Sequence, residues 1–530
     1  MKQKVFILFI AVVLIMYTSC TKSFLDQNLK STYAPENTMV DSLGFVAAVT
    51  GLMKTVRDQY AGPDQGGLAL MQVGTDVCRN SATTPAASQI AFENYTLLNS
   101  QDLAASYFWK WGYGVINASN LIIESAEDPH VKLSASGKAV FAAEAKFYRA
   151  YAYNFLNTLY GDIPLLAEPL TSPKTDFTRT PTDSILPFII SDLKFATINL
   201  PDPDYWIGLN KEGMINKYAA SQLLAEVYLR NNQPALAEQE CQNIINSGAF
   251  QLIKNRYGVN KNKPGDPFSD MFDEGNIRRS QGNTEAIWVI ELDFGVPGGG
   301  VGGPGDEHRR VWGPYYASIN GMLVADSLGG RGIGRLVPTT WWIYDLYAKN
   351  DMRNSPYNIR REFRYNNPAF ADFGKLVVAS GTDTLGKINA STTKWDEYRP
   401  EDPFGGACYK DITQMRLGET YLLLAEAQFK QSKPEEAAAS INVLRDRAHT
   451  ESVLSSDITM DFILDERARE LIGEENRRKT LVRTGTLLER VNKFNPTSAT
   501  SIKEFNALLP IPQSEINLNK DAVLKQNEGY

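Results

Sequence analysis

The chain has 530 residues and a formal net charge of −7, with 54 basic and 61 acidic side chains and no lysine and arginine block long enough to follow a phosphate backbone. This balance excludes nucleic acid as an expected partner. The chain has four cysteines without a CxxC spacing, which argues against a disulfide framework and a thiolate metal site. Aromatic side chains are abundant, with 8 Trp, 24 Tyr and 24 Phe, whereas there are only 3 His, and this composition favours binding over catalysis.

The N-terminal segment predicts export and lipid anchoring. Two lysines precede the apolar run of residues 5–16, which is long enough for a signal peptide but shorter than the roughly 20 residues that span a membrane. The small residue Ser19 stands directly before Cys20, as in lipoprotein signals. We predict that residues 1–19 are removed and that Cys20 carries lipid, with an ordinary secretory signal and a free Cys20 thiol as the alternative.

An early polar loop, GTDVCRNSATT at residues 74–84, offers the first candidate ligand contacts. Asp76, Arg79 and Asn80 could make paired hydrogen bonds to hydroxyl groups or backbone amides. We therefore predict these three side chains as ligand-binding candidates.

Helical patterns dominate both ends of the chain. Residues 141–160 have helical periodicity and end at a Gly-Asp-Ile-Pro stop, and residues 462–474 predict another amphipathic helix. Residues 223–237 and 423–437 are similar to each other: each reads LLAE, then an apolar and a basic residue, then a proline and an alanine at equal spacing. Each predicts a helix, a short polar turn and a second helix that begins at Pro234 or Pro434, the pattern of tetratricopeptide-type hairpins.

The middle of the chain differs in composition. Residues 250–410 are rich in Gly, Asn, Pro and aromatic residues, with one alternating, strand-like piece at residues 285–292 (EAIWVIEL). We predict a mostly α protein with minor β structure. After the signal, one body at residues 20–530 has a helical scaffold at about 40–250 and 411–530 and a loop-rich ligand face at about 251–410.

Aromatic residues crowd one Gly/Pro segment of this face, RRVWGPYYASING at residues 309–321. Trp312, Tyr315 and Tyr316 could stack against the apolar faces of sugars or against peptide side chains, or they could fill a core. We include them as ligand-binding candidates. Of the neighbouring pair Trp341 and Trp342, at least one is assigned to the core.

Motifs for catalysis and cofactors are weak or missing. Gly298, Gly300 and Gly303 match a dinucleotide fingerprint, but Pro304-Gly305 stands where a helix must begin to hold a pyrophosphate, so we predict a glycine-rich loop. No GxSxG, HExxH or Walker sequence occurs. The acid-rich stretch at residues 465–470 alternates with arginines and predicts an ion-pair lattice instead of a catalytic acid pair. We expect no enzyme activity, no cofactor and no metal site.

Seven segments, in one order along almost the whole chain, carry a family resemblance. They are SFLD (23–26), VTGL (49–52), EAKFYRAY with YGDIPL (144–165), DL with LP (192–201), AEA with INVLRDRA (425–448), ERAREL (466–471), and LPIP with QNEGY (509–530). In this order they resemble the SusD/RagB family of Bacteroidetes outer-membrane lipoproteins. The acidic cluster that usually follows the family's lipid cysteine, and that directs display outward, is missing from residues 21–23.

The resemblance implies a fold and a function. The fold is a tetratricopeptide-like helical superhelix with a long irregular insertion, lying as a lid over a SusC-type TonB-dependent transporter. The implied function is capture of an oligosaccharide and its delivery to that transporter, at the outer membrane and facing the cell exterior. The sequence leaves open a peptide-binding lid, a surface glycosidase and a purely structural lipoprotein.

Overall fold

The computed structural model describes residues 38–60, 66–85, 87–296, 299 and 306–530. Cys20 and the predicted signal peptide lie outside these residues, as do the three glycines of the dinucleotide-like motif. No helix in the described ranges combines the length and the apolar character that a membrane span requires.

Most of the α-helices lie in the two terminal parts of the chain, and two short ones lie in the middle part. In chain order they are α1 Ser42–Arg57, α2 Gly66–Gln72, α3 Ala87–Glu93, α4 Leu103–Glu127, α5 Ala135–Tyr160, α6 Thr182–Asn199, α7 Pro203–Gly208, α8 Lys217–Arg230, α9 Pro234–Asn246, α10 Pro267–Asp270, α11 His308–Trp312, α12 Leu417–Lys430, α13 Pro434–Arg447, α14 Met460–Leu471, α15 Arg477–Arg483, α16 Leu487–Phe494, α17 Pro496–Ala499 and α18 Gln513–Leu518. The prediction of a mostly α fold with minor β structure is confirmed.

The strands are short and pair in twos. They are β1 Cys78–Asn80, β2 Ala286–Ile290, β3 Leu336–Pro338, β4 Ile359–Arg360, β5 Ser391–Thr392 and β6 Ile412–Arg416. The pairs β1–β3, β2–β6 and β4–β5 are all antiparallel. The predicted strand at residues 285–292 is present as β2, and its partner β6 leads directly into α12.

The two similar segments fold as matching helical hairpins, α8–α9 and α12–α13. Their turns adopt the same backbone shape, because Asn232 and Ser432 both take a left-handed conformation, with φ of 52° and 59°. Pro234 and Pro434 occupy the start of the second helix in each, where no amide hydrogen is needed. The hairpins contact each other through Glu238, which accepts a hydrogen bond from Lys433 Nζ at 2.7 Å.

Two helix ends differ from the sequence-based prediction. Helix α5 begins at Ala135 instead of residue 141, because the Ser134 hydroxyl accepts a hydrogen bond from the Gly137 amide and caps the additional turn. Helix α14 ends at Leu471 instead of residue 474. Gly473 there has φ of 78°, and a Cβ atom at this position would lie 2.9 Å from the Trp395 indole nitrogen.

A buried carboxyl group inside α5 gives the fold a pH dependence. Glu144 is fully buried, and its two oxygens have no hydrogen-bond partner among the described side chains. Burial raises the pKa of Glu144 to about 8, and the backbone of Ile215 and the charge of Lys211 lower it only in part. The group is therefore neutral in the folded protein and ionised in the unfolded chain between about pH 4.5 and pH 8.

Glu144→Gln is expected to stabilise the protein at alkaline pH. In this pH window the folded state binds one proton that the unfolded chain has released, so the free energy of unfolding decreases as the pH rises. The stability that neutral Glu144 allows is fully present below about pH 4.5 and is lost as the pH rises through about 8. The total loss is on the order of 5 kcal/mol. Thermal unfolding at pH 5 and pH 8.5 measures the effect. Glu144→Gln should have a higher melting temperature than the wild type at pH 8.5 only. The control Glu124→Gln, at an exposed position, should melt like the wild type at both pH values.

Candidate functional site

The structure brings the early polar loop and the aromatic loop together, although more than 200 residues separate them in the sequence. Strand β1, which carries Arg79 and Asn80, pairs with β3, with Arg79 opposite Val337 and Asn80 opposite Leu336. The pairing continues past the strand, where the Ser81 amide donates to the Arg335 carbonyl at 3.1 Å. The segment around β3 is therefore the shared support of both loops.

Backbone hydrogen bonds fix the aromatic loop to the same support. The Gly334 amide donates to the Gly313 carbonyl at 2.7 Å, and the Tyr315 amide donates to the Gly386 carbonyl at 2.8 Å. From the other side, the Thr84 hydroxyl donates to the Ile333 carbonyl at 2.5 Å. We name the surface at this junction the Tyr315 face, formed by residues 81–84, Tyr315 and the turn at Leu385–Gly386.

Close backbone contacts define the Tyr315 face. A Cβ atom on Gly386 would lie 2.0 Å from the Thr83 hydroxyl oxygen, and one on Gly334, which has φ of 60°, would lie 1.9 Å from the Gly386 carbonyl oxygen. These glycines allow three chain segments to approach closely, with the Ser81 and Thr83 hydroxyls packed against Gly386. Ser81 and Thr84 also hold the face through their hydroxyls, which donate to the carbonyls of Leu385 and Ile333.

Two of the six predicted ligand-binding residues keep solvent access. Tyr315 is half-buried on the face that bears its name. The Arg79 side chain is also half-buried, and its Nε lies 3.7 Å from the Glu93 carboxylate. Burial raises the pKa of Glu93, while the Arg79 charge lowers it in part. Both residues remain candidates.

Asp76 has a structural position, which corrects its prediction as a ligand contact. Its side chain is completely buried, and it accepts two hydrogen bonds from Arg477, at 2.9 and 2.6 Å, and one from Arg490 at 2.7 Å. Burial alone would raise the pKa of Asp76, but the two guanidinium groups outweigh it and lower the pKa. With both oxygens engaged, Asp76 has no free acceptor for a ligand.

Asn80, Trp312 and Tyr316 are buried as well, so they are corrected from ligand contacts to interior residues. The Asn80 side chain accepts a hydrogen bond from the Ser81 amide at 2.9 Å and shapes the loop. Trp312 belongs to the main hydrophobic core. The Tyr316 hydroxyl donates to the Gly330 carbonyl at 2.6 Å and fixes the loop beneath the Tyr315 face.

Exposed aromatic residues of the loop-rich part were missed by the sequence analysis. Phe404 is 69% exposed, its carbonyl accepts a hydrogen bond from Arg331, and the next carbonyl, that of Gly405, accepts one from Arg309 at 2.6 Å. Arg309 begins the aromatic loop at residues 309–321, so its hydrogen bond ties the turn after Phe404 to that loop. The available signal was the sequence DPFGG around Phe404, a Gly/Pro setting like that of the aromatic loop.

The acid-rich stretch forms the predicted ion-pair lattice. Glu466 accepts hydrogen bonds from Arg445 at 3.0 Å and Arg469 at 2.8 Å, and Glu470 is bound by buried arginines from other elements. Within the part of the chain that the structure describes, no cluster of three His, Cys, Asp or Glu side chains could hold a metal ion.

Comparison with known protein families gives two matches that together extend over most of the chain. The family model described as "SusD family" matches residues 405–530. A second model, described as "Starch-binding associating with outer membrane", matches residues 23–229.

Individual proteins extend the similarity. SusD-like protein P25 of Formosa agariphila is 26% identical, over 97% of each chain. Starch-binding protein SusD of Bacteroides thetaiotaomicron is 38% identical over 163 residues, which are 29% of this chain and 27% of that protein. Among solved structures, surface glycan-binding protein A of Bacteroides thetaiotaomicron, in complex with laminarihexaose, has a TM-score of 0.70 at 18% identity and covers 92% of this chain and 99% of its own.

Proposed function

Because the chain belongs to the SusD/RagB family, we propose that it binds an oligosaccharide on its loop-rich face and delivers it to a SusC-like TonB-dependent outer-membrane transporter. The observation that carries the proposal is the junction of the two loops at the Tyr315 face. Tyr315 is half-buried at this junction, and the half-buried Thr83 on the other loop has a hydroxyl that lies 3.1 Å from the Ser81 hydroxyl. Flat rings next to hydroxyl donors and acceptors suit the two faces of a sugar, one apolar and one polar.

The fixed backbone around Tyr315 favours binding. Its amide is held by the Gly386 carbonyl, and the neighbouring Tyr316 is buried and hydrogen-bonded. Because the loop is already ordered by these contacts, little conformational freedom is lost when a ligand binds. In this proposal the protein contributes affinity and selectivity and carries out no bond breaking.

An oligosaccharide is favoured over a peptide as the ligand. The family model that matches the N-terminal part is described as starch-binding, and a protein of the same fold was solved with laminarihexaose bound. A peptide-binding lid of the same transporter type remains the second candidate, because an aromatic ring can also stack against peptide side chains.

A surface glycosidase is a weaker candidate. Such an enzyme needs two carboxyl groups on opposite sides of the scissile bond, about 5 to 9.5 Å apart. The acids that the sequence offered for this role are all bound to arginines: Asp465 to Arg490, and the buried Glu466 and Glu470 to Arg353.

A binding panel tests the proposed ligand class. Titration calorimetry of the wild-type protein with neutral oligosaccharides, including laminarihexaose and starch fragments, and with mixed hexapeptides should give heat with at least one oligosaccharide and none with the peptides. Chromatography of the incubated sugars should show no shortened products. Binding of peptides alone, or cleavage of the bound sugar, would contradict the proposal.

The anchor and the location are part of the proposal. The matched family model is described as associating with the outer membrane, and we propose that lipid on Cys20 attaches the protein there, facing the cell exterior. Multiple acyl chains give stable attachment where a single chain binds only marginally. Protease treatment of intact cells should degrade the protein, and Cys20→Ser should release it from the membrane fraction. A protein that resists the protease faces the periplasm, which the lid arrangement does not permit.

A further inference from the structure

A second depression of the loop-rich part has the properties of a ligand site. It is a cleft of about 300 Å³, within the range of roughly 300 to 1,000 Å³ that is common for small-molecule pockets. Its lining comes from residues 256–273, 356–360 and 393–396, with Lys410 and Ser327. We name it the Lys410 cleft, and Tyr315 is not among its lining residues.

Two ion pairs neutralise part of the charge in the Lys410 cleft. Arg256 is paired with Asp270 at 2.7 Å, and Arg360 is paired with Asp396 at 2.5 Å. Lys263, Lys410 and Asp273 are the other charged side chains of the lining, so four basic and three acidic groups leave a net charge of only about +1.

Two buried groups in the cleft have unfilled hydrogen bonds. Asp270 is 1% exposed; its Oδ2 accepts from Arg256 and from the Tyr257 amide, but its Oδ1 has no hydrogen-bond partner among the residues that the structure describes. Lys410 is 2% exposed, and its ammonium donates to the Asp396 carbonyl at 2.9 Å. An ammonium carries three hydrogens, so within the described residues the cleft contains both an unfilled acceptor and unfilled donors.

We propose that the Lys410 cleft binds one neutral sugar ring. A hydroxyl group both donates and accepts, so adjacent hydroxyls can serve Asp270 and Lys410 together. An anion would satisfy Lys410 but would face the nearby acids, and a cation would satisfy Asp270 but would face Lys410. Tyr357, which is 42% exposed in the cleft lining, offers a flat surface on which a sugar ring can stack.

The cleft and the Tyr315 face share a structural neighbour. Ser327, in the cleft lining, lies three residues before Gly330, whose carbonyl accepts the Tyr316 hydroxyl. This inference rests on the proposed glycan-binding function and adds a second binding position on the loop-rich part. A longer sugar chain bound at both positions would gain affinity from the two weak contacts.

Saturation-transfer NMR on the wild-type protein tests the proposal. The probes are glucose, galactose, mannose and xylose, with glucuronic acid and glucosamine as charged comparators. The variants Lys410→Met and Tyr357→Ala, and the control Tyr205→Ala, are compared in the Tyr315→Ala background, so that sugar bound at the Tyr315 face does not contribute to the signal. We expect transfer to at least one neutral sugar, a decrease of about threefold or more when Lys410→Met or Tyr357→Ala is added, and no change when Tyr205→Ala is added.

Each outcome of this experiment is decisive. Lack of transfer to all neutral sugars, transfer to glucuronic acid alone, or an unchanged signal in Tyr357→Ala would overturn the proposal. Because Tyr357 is on the surface, its variant should remain folded and decides the question even if Lys410→Met does not fold. The proposed function would survive such a failure if oligosaccharide binding in the calorimetric panel still depended on Tyr315.

Discussion

Glu470→Ala is expected to prevent stable folding, the largest effect that we predict. Glu470 is fully buried and accepts hydrogen bonds from Arg416 at 2.6 Å, from Arg353 at 2.9 Å and from Arg447. Removal of one partner of a buried ion pair typically costs about 3 to 5 kcal/mol, and here three arginines would lose an acceptor. A typical domain has only about 5 to 15 kcal/mol of stability, so most of it would be lost.

The same contacts connect the loop-rich part to the helical scaffold. Arg353 belongs to the loop-rich part, Arg416 ends β6 and Arg447 ends α13, so Glu470 on α14 joins three separate elements. Burial would raise the pKa of Glu470, but the three arginines lower it well below the ordinary value. Its contribution to stability is therefore present at neutral pH and is lost only as the pH falls through that lowered pKa.

Soluble yield and thermal unfolding measure the Glu470 effect. The matched control is Glu451→Ala, because Glu451 is an exposed residue of the same type in the same part of the chain. We expect the control to melt like the wild type and Glu470→Ala to be insoluble or to melt far below it. A Glu470→Ala protein that melts within a few degrees of the wild type would show that the buried network is dispensable.

The helical scaffold could be predicted because its determinants are local. The hairpins α8–α9 and α12–α13 follow from apolar spacing within about 30 residues and from a proline at the start of each second helix. The end of α14 was misplaced because it depends on Gly473, whose positive φ coincides with a contact to Trp395 far along the chain. A local pattern contains no information on such a contact.

The candidate site could be predicted only in part, for the same physical reason. The two loops were identified from composition, but four of the six side chains predicted to contact a ligand are buried in the protein. Asp76 is bound by Arg477, which lies 401 residues away, and Trp312 packs into a core built largely by the scaffold. Arginines such as Arg477 and Arg490 in the C-terminal part were a possible signal, since buried guanidinium groups require acidic partners.

Tyr315→Ala is expected to abolish or strongly weaken oligosaccharide binding without affecting the fold. The ring is half-buried on a backbone-supported face, so its removal takes away a flat contact surface but leaves the main core intact. Aromatic anchors of binding sites commonly contribute 2 kcal/mol or more, and about 1.4 kcal/mol corresponds to a tenfold change in affinity. We therefore expect the affinity to fall about tenfold or more.

The matched control for Tyr315→Ala is Tyr205→Ala, because Tyr205 is a tyrosine that is 56% exposed on α7 of the scaffold, away from the loop-rich part. Both variants should melt like the wild type, which would separate a binding effect from a folding effect.

Calorimetric titration of the wild type, Tyr315→Ala and Tyr205→Ala, with the oligosaccharide that binds best in the panel, shows whether the sugar binds on the Tyr315 face. We predict equal affinity for the wild type and Tyr205→Ala, and a loss of about tenfold or more for a folded Tyr315→Ala. Equal affinity of all three proteins would contradict it, because the sugar would then bind elsewhere than on the Tyr315 face.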